Sequence, residues 1–456
     1  MQQAPVEMAS ERRPLGEGSD LLRVPTMREP IATLTGRDKL TFYTGHSFAR
    51  NPWVAAPSST TARDGLGPLF NARSCTACHI NGGRSNIDAE GDDLAALVVR
   101  LGIAAPPSSP ADHTLVSKMG RLPEPTYGGQ LQPEALGFLG VAPEAAVNLT
   151  WTWTEGAYPD GQTYQLRAPK VQFDKLGYGP FHHDTATSLR IAPALAGTGF
   201  VEAIDEADIL ANADPDDRDG DGISGKANVV WNIAEQGVDL GRFGWKAAQP
   251  TVRQQTAAAL LNDMGITSAL FPNETCTAQQ TACEQAGGGG ENNASGFEID
   301  DKLLDAVTLF SASITIPTRT QALSKKESQG RELFYETGCN ACHQPSYVTP
   351  SELGSPFSEQ HIWPYSDFLL HDMGAELADN QTEFLAQGSE WRTAPLWGLA
   401  TIAKINPDAS FLHDGRARDL EEAILWHGGE AQGAQQRFKN LTLSQRQALI
   451  EFLWQL

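Results

Sequence analysis

The chain is short of positive charge: 34 Lys and Arg stand against 56 Asp and Glu, giving a formal net charge of −22 and a pI near 4.8. Long-range repulsion therefore works against nucleic acid or an anionic membrane surface as a partner, and a cationic redox protein or cationic protein substrate fits better. No apolar run is long enough to span a bilayer. The opening Met1-Gln-Gln-Ala-Pro has neither the basic n-region nor the apolar h-region of a secretory signal, and it reads as a mature start with an added Met. Cysteine is scarce, six in 456 residues, and four of the six are spent on two copies of one motif. At 40% hydrophobic content the chain can still bury substantial cores, and its length fits two domains with insertions.

The motif is Cys-x-x-Cys-His, at Cys75-Thr-Ala-Cys78-His79 and again at Cys339-Asn-Ala-Cys342-His343. Two thiols at this spacing take the two vinyl groups of one porphyrin, and the adjoining imidazole turns in to ligate the iron. Four thiolates could instead hold one zinc ion, but the pairs lie far apart in sequence and each carries the trailing His, unlike a zinc ribbon. The sequence therefore proposes two covalently bound c-type haems, a cofactor attached outside the cytoplasmic membrane, and a periplasmic setting. The leftover pair, Cys276 and Cys283, flanks a short polar segment and most simply forms one local disulfide.

Along the chain, residues 1–35 are rich in charge and Pro and read as an arm. From Gly36 to Arg84 come Gly-rich turns and isolated aromatics that can wall a porphyrin. From Leu94 the period changes, and Val147, Leu149, Trp151 and Trp153 alternate with polar residues; a turn at Tyr158-Pro-Asp-Gly161 leads to a second strand through Tyr164 and Leu166. A β-hairpin is thus inserted. His182 and His183 follow, as surface histidines or haem ligands, ahead of an apolar run from Ser188 to Ile204 that carries Arg190 and Glu202.

Asp217, Asp219 and Asp221, followed by Gly222, match the start of an oxygen-lined calcium loop; the Ile223 carbonyl would add a ligand, and Asn228 stands where the full motif has a bidentate Glu. A solvated acidic turn is the plainer alternative. Thr251 to Gly265 reads as a capped helix, and Gly287–Gly290 with Glu291-Asn-Asn as an excursion. Capping boxes at Ser324/Glu327 and Thr442/Gln445 bracket the second haem unit, whose last helix carries the stripe Leu449, Ile450, Leu453 and Leu456.

These features, with Trp391-Arg-Thr-Ala-Pro-Leu-Trp-Gly398 and Phe411-Leu-His-Asp-Gly-Arg416, resemble the di-haem cytochrome c peroxidase and MauG superfamily. Gly65-Leu-Gly-Pro-Leu-Phe-Asn-Ala72, the Arg190–Ile204 run, the Asp-rich loop, Leu370-His-Asp-Met-Gly374 and His427-Gly-Gly-Glu-Ala431 are similar to its di-haem oxidoreductase branch, the thiol-oxidoreductase type, although no thiol-binding chemistry is visible. The resemblance implies that the N-terminal haem meets hydrogen peroxide while the C-terminal haem, ligated on both faces, passes electrons to or from a small redox protein or protein substrate. It implies a distal ligand for the second iron at His427, with Met373 competing. It also implies a distal acid at the first, with Glu202 the candidate, Glu206 nearby, and Arg190 its electrostatic partner.

The expected fold is mainly α, with two cytochrome c-like domains. An N-terminal haem domain over 36–317 is enlarged by the β-hairpin and the calcium-type loop, and a C-terminal one covers 318–456. Three functions compete: a peroxide-reactive di-haem oxidoreductase, an electron-transfer cytochrome inert to peroxide, and a ligand-sensing module.

Overall fold

A computed structural model describes residues 4–22, 26, 28–87, 96–287, 289–290 and 293–456. Met1, Leu94, Gly288, Glu291 and Asn292, which the sequence reading invokes, lie outside the described residues.

Two helix crossings of one design organise the molecule. In the first half, the Gly36–Arg50 helix crosses the Asp301–Ala312 helix; in the second, the Lys325–Glu336 helix crosses the Leu443–Leu453 helix. Each crossing has a glycine at its closest point. A Cβ on Gly45 would lie 1.9 Å from the Ala306 carbonyl oxygen, and one on Gly330 would lie 1.9 Å from that of Ala448. Phe310 and Phe452 stand at the matching place, each with its Cβ 2.9 Å from the added atom. Backbones can approach this closely only where no side chain intervenes, so the same packing solution has been used twice.

The capping boxes at Ser324/Glu327 and Thr442/Gln445 form as the spacing predicts, each side chain accepting the third helical N–H. The Val252–Met264 helix likewise starts at its Thr251 cap and ends at Gly265, where φ is +63°. The Gly36–Arg50 helix was hidden behind Gly-rich composition. Its buried face is only Phe42, Gly45 and Ala49, too thin a stripe to stand out.

The expectation of a mainly α protein needs correction. The described structure is 32% helix and 17% strand, a mixed α/β composition. Its sheets are six separate antiparallel pairs, not one layer. The strand content missed includes Leu97–Ile103 paired with Thr185–Ile191, two seven-residue runs whose pairing joins distant parts of the sequence.

The inserted hairpin is present, with Ala146–Ala157 paired to Thr163–Asp174 in register Ala146↔Asp174. Its turn clasps the other half of the molecule. Arg446, 1% exposed on the last helix, donates to Asp160 (2.8 Å) and Gln162 (2.7 Å) and stacks on Tyr158. The N-terminal segment also reaches across: Leu15 is fully buried, and the Trp363 N–H donates to the Pro14 carbonyl at 2.8 Å. One continuous hydrophobic core, from Leu15 to Leu456, draws on both halves. A second cluster around Trp53, Phe70, Leu260 and Leu304 belongs to the first. No helix of the described residues is long and apolar enough to cross a membrane.

Candidate functional site

The two Cys-x-x-Cys-His segments occupy separate places, and the four sulfurs do not gather round one ion. Among the described residues, the one close group of potential metal ligands that includes a cysteine is Cys342 with Asp367 and His371. With no metal bound, burial pushes the thiols of Cys75 and Cys78 up to about 12 and that of Cys339 to about 11, which keeps them neutral.

Cys75, Cys78 and His79 open onto a cavity of about 260 Å³. One face of the Val252–Met264 helix walls it through Gln255, Thr256, Ala259 and Asp263, at the spacing of successive helical turns. The Arg190–Ala196 stretch forms a second wall, and Arg392, Ala394, Pro395 and Trp397 from the other half close a third. Both halves thus build the first site. Among the described residues, its lining carries five guanidiniums, Arg84, Arg100, Arg190, Arg242 and Arg392, and the carboxylate of Asp263.

His79 is the one imidazole in this lining. Its Nδ1 is 2.7 Å from the Pro193 carbonyl oxygen, which takes the ring proton there and leaves Nε2 as a free lone pair. Burial pulls His79 down to about 4 and keeps it neutral, the form that ligates metal.

The second site has two such rings. His343 Nδ1 is 2.9 Å from the Tyr365 carbonyl oxygen, and His427 Nδ1 is 2.7 Å from that of Ala423. Burial lowers both, His343 to about 4, and the two rings are close enough for His427 to add to the lowering of His343. The competing Met373 is half-buried against the same core, and its segment touches the one after His427, where a Cβ on Gly428 would lie 2.9 Å from the Met373 carbonyl oxygen. The indole N–H groups of Trp363 and Trp426 are buried with no acceptor among the described residues. Two neutral buried imidazoles, one of them beside Cys339 and Cys342, are the donor set that a haem iron takes. The residues present therefore fit a bound haem.

The other residues singled out from sequence are placed as follows. Glu202 accepts the Val252 N–H at 3.1 Å, at the start of the Val252–Met264 helix, and is not among the cavity-lining residues. Burial raises its carboxyl. Arg190 does line the cavity, and its guanidinium also pairs with the buried Glu383 (2.5 Å) and Asp379 (3.6 Å). Glu206 opens the next short helix, Glu206–Leu210.

The oxygens of Asp217, Asp219 and Asp221 converge to within 4.8 Å, and the Ile223 N–H donates to Asp221. Asn228 stands apart from them. It is 1% exposed and spends its amide on the carbonyls of Lys246 and Glu383 and on the Leu385 N–H. His182 and His183 lie on the surface beside Asp184. The sulfurs of Cys276 and Cys283 are at bonding distance.

Sequence reasoning missed a charged relay beside Cys342. His371, 3% exposed, has Nε2 2.8 Å from Asp367 and Nδ1 2.6 Å from Glu430, and Glu430 also accepts the Ser224 hydroxyl at 2.6 Å. Burial opposes charge on His371, but its hydrogen bonds to Asp367, Cys342 and Glu430 outweigh this and hold it protonated well above the usual imidazole range. Burial would also raise Glu430; the bonds from His371 and Ser224 reverse that and bring it to about 2. The raised His stabilises the fold fully below its unfolded value and loses this as pH climbs through the folded one. The depressed Glu stabilises above its unfolded value and loses this as pH falls towards 2.

The contribution of this pair to stability should therefore be greatest between about pH 4.5 and 6.5 and decline on both sides. His371→Gln should flatten the alkaline decline in calorimetric scans, and an unchanged alkaline limb in that variant would refute the relay.

No curated protein matches the chain. A family model described as "Di-haem oxidoreductase, putative peroxidase" matches residues 23–456, spanning both cysteine motifs and every wall of the cavity. The chain belongs to this di-haem oxidoreductase family, whose name implies two haem groups.

Proposed function

We propose that this protein is a periplasmic di-haem c-type oxidoreductase that reacts with hydrogen peroxide at its N-terminal haem and passes electrons through its C-terminal haem. Cys75, Cys78 and His79 would hold the first haem, and Cys339, Cys342 and His343 the second. The observation that carries this reading is the asymmetry of imidazoles: one, His79, at the first cavity, and two, His343 and His427, with free Nε2 atoms at the second. One protein ligand leaves an iron face open to a small oxidant, whereas two close it.

Haem supplies the electron chemistry with peroxide; the protein's task is to hold and move protons nearby. Among the described lining residues, Asp263 is the carboxylate in position for that. Gln130 Nε2 donates to its Oδ1 at 2.8 Å. Burial raises its carboxyl, while the Gln130 bond and the Arg100 charge pull the other way. Arg100 and Arg190 add positive charge at the same lining. In this reading the proton-transfer role passes from Glu202, which caps a helix, to Asp263.

The acidic surface favours a cationic redox protein or substrate protein as partner. The three converged carboxylates of the Asp217–Asp221 turn would hold a calcium ion that pins the loop, without the side chain of Asn228.

Electron paramagnetic resonance of the oxidised protein tests the asymmetry. One high-spin and one low-spin iron per chain is expected, with peroxide shifting the Soret band. Two low-spin irons and a Soret band unmoved by peroxide in every redox state would leave an electron-transfer cytochrome.

A further inference from the structure

Within the N-terminal segment, the buried Glu11 meets Tyr365, the residue whose carbonyl accepts from the imidazole of the second Cys-x-x-Cys-His. Glu11 is 5% exposed. Its carboxylate takes both arms of the Arg331 guanidinium, Nε at 2.9 Å and Nη2 at 3.2 Å, and Arg331 also donates to the Pro5 carbonyl. Arg331 projects from the Lys325–Glu336 helix, so the fork ties this segment to the helix that leads into the second Cys-x-x-Cys-His. The same Glu11 Oε1 accepts the Tyr365 hydroxyl.

Tyr365 is the residue whose carbonyl accepts from His343 Nδ1 at 2.9 Å. Its φ is +53°, a left-handed backbone that bulky residues rarely adopt and that surrounding contacts must hold in place. The ring supplies that hold. It lies edge-on to Phe334 and Phe452, and its hydroxyl is fastened to Glu11.

We propose that Glu11 is a positioning residue for the second haem: through the Tyr365 hydroxyl it fixes the carbonyl that accepts the His343 Nδ1 proton, and so sets that iron's reduction potential. The physical link is ligand basicity. A firm Nδ1–H···O=C bond gives the imidazole anionic character, which favours ferric iron and lowers the potential; a loosened bond raises it. This rests on two bound haems and not on peroxide chemistry, so the two readings fail separately.

The test is a spectroelectrochemical titration of the full-length di-haem protein and three variants, with haem content and circular dichroism checked for each. Glu11→Gln should raise the midpoint potential of the second haem and leave the first unchanged. Tyr365→Phe removes the same link without changing charge and should reproduce the upward shift, which separates positioning from simple loss of a negative charge. Glu7→Gln is the control. Glu7 anchors the same segment on Arg319 and does not hydrogen-bond to Tyr365, so the potential should stay put. An unmoved second potential in Tyr365→Phe at full haem content, or an equal shift in Glu7→Gln, would overturn the proposal.

Discussion

A Cys339→Ala, Cys342→Ala double variant is expected to carry one covalent haem per chain where the unaltered protein carries two, measured by pyridine haemochrome and by intact mass after denaturation. The Cys75→Ala, Cys78→Ala variant should also fall to one. Each pair faces its own site, each is followed by a histidine with Nδ1 tied to a backbone carbonyl, and the family to which the chain belongs is di-haem by name. The second loss should be the more disruptive. His343 and His427, both neutral and buried, lose the iron they would ligate. Phe334 and Phe452, packed near His343 and Tyr365, lose the flat apolar surface that fills their core. A zinc protein would behave otherwise, losing metal in both variants and giving no haemochrome. Two equivalents retained in either variant would end the covalent reading.

What was legible in the sequence follows a physical line. Local structure was readable wherever residue type and spacing act over a few positions, as in the capping boxes at Ser324 and Thr442, the Thr251–Gly265 helix, the Tyr158–Gly161 turn and the close approach of Cys276 to Cys283. Contacts between distant segments were not. The Gly36–Arg50 helix is recognisable only beside its partner, because Gly45 is chosen for closeness to Ala306 and not for helix propensity. Trp153 continues the alternating pattern of its strand, yet it is 47% exposed beyond the core, with the Arg418 guanidinium 5.1 Å from its ring. The family resemblance pointed to Glu202 in the apolar run as the distal acid, and its carboxylate accepts the Val252 N–H at the start of a helix, a contact between distant segments that spacing does not show. Asn228 sits at a calcium-loop position by count, and the chain turns it inward to bridge Lys246, Glu383 and Leu385. Sequence spacing gives a residue's place along the chain, and only packing decides which way its side chain faces.

That distinction bears most heavily on the choice of acid at the first haem. Asp263→Asn is expected to slow the peroxide-driven Soret change by about 10²–10⁴-fold in stopped-flow mixing, the usual range for a lost general acid or base. The isosteric amide keeps the bulk and can still meet Gln130, so the loss would be of proton transfer and not of shape. Glu202→Gln should change that rate by less than about tenfold, because its carboxylate contacts the Val252 N–H and lies outside the cavity lining. Its stability should also change little, since the Gln side-chain oxygen can still accept the Val252 N–H and burial already disfavours charge on Glu202. Arg190 complicates any simple charge argument, because it faces the cavity while paired with Glu383 and Asp379. Removing it would leave those two buried acids uncompensated and confound rate with folding. The Asp263 and Glu202 variants avoid this, since each alters one carboxylate that no guanidinium grips. A rate lost in Glu202→Gln and kept in Asp263→Asn would return the acid to the apolar run and show that the cavity rearranges when haem binds.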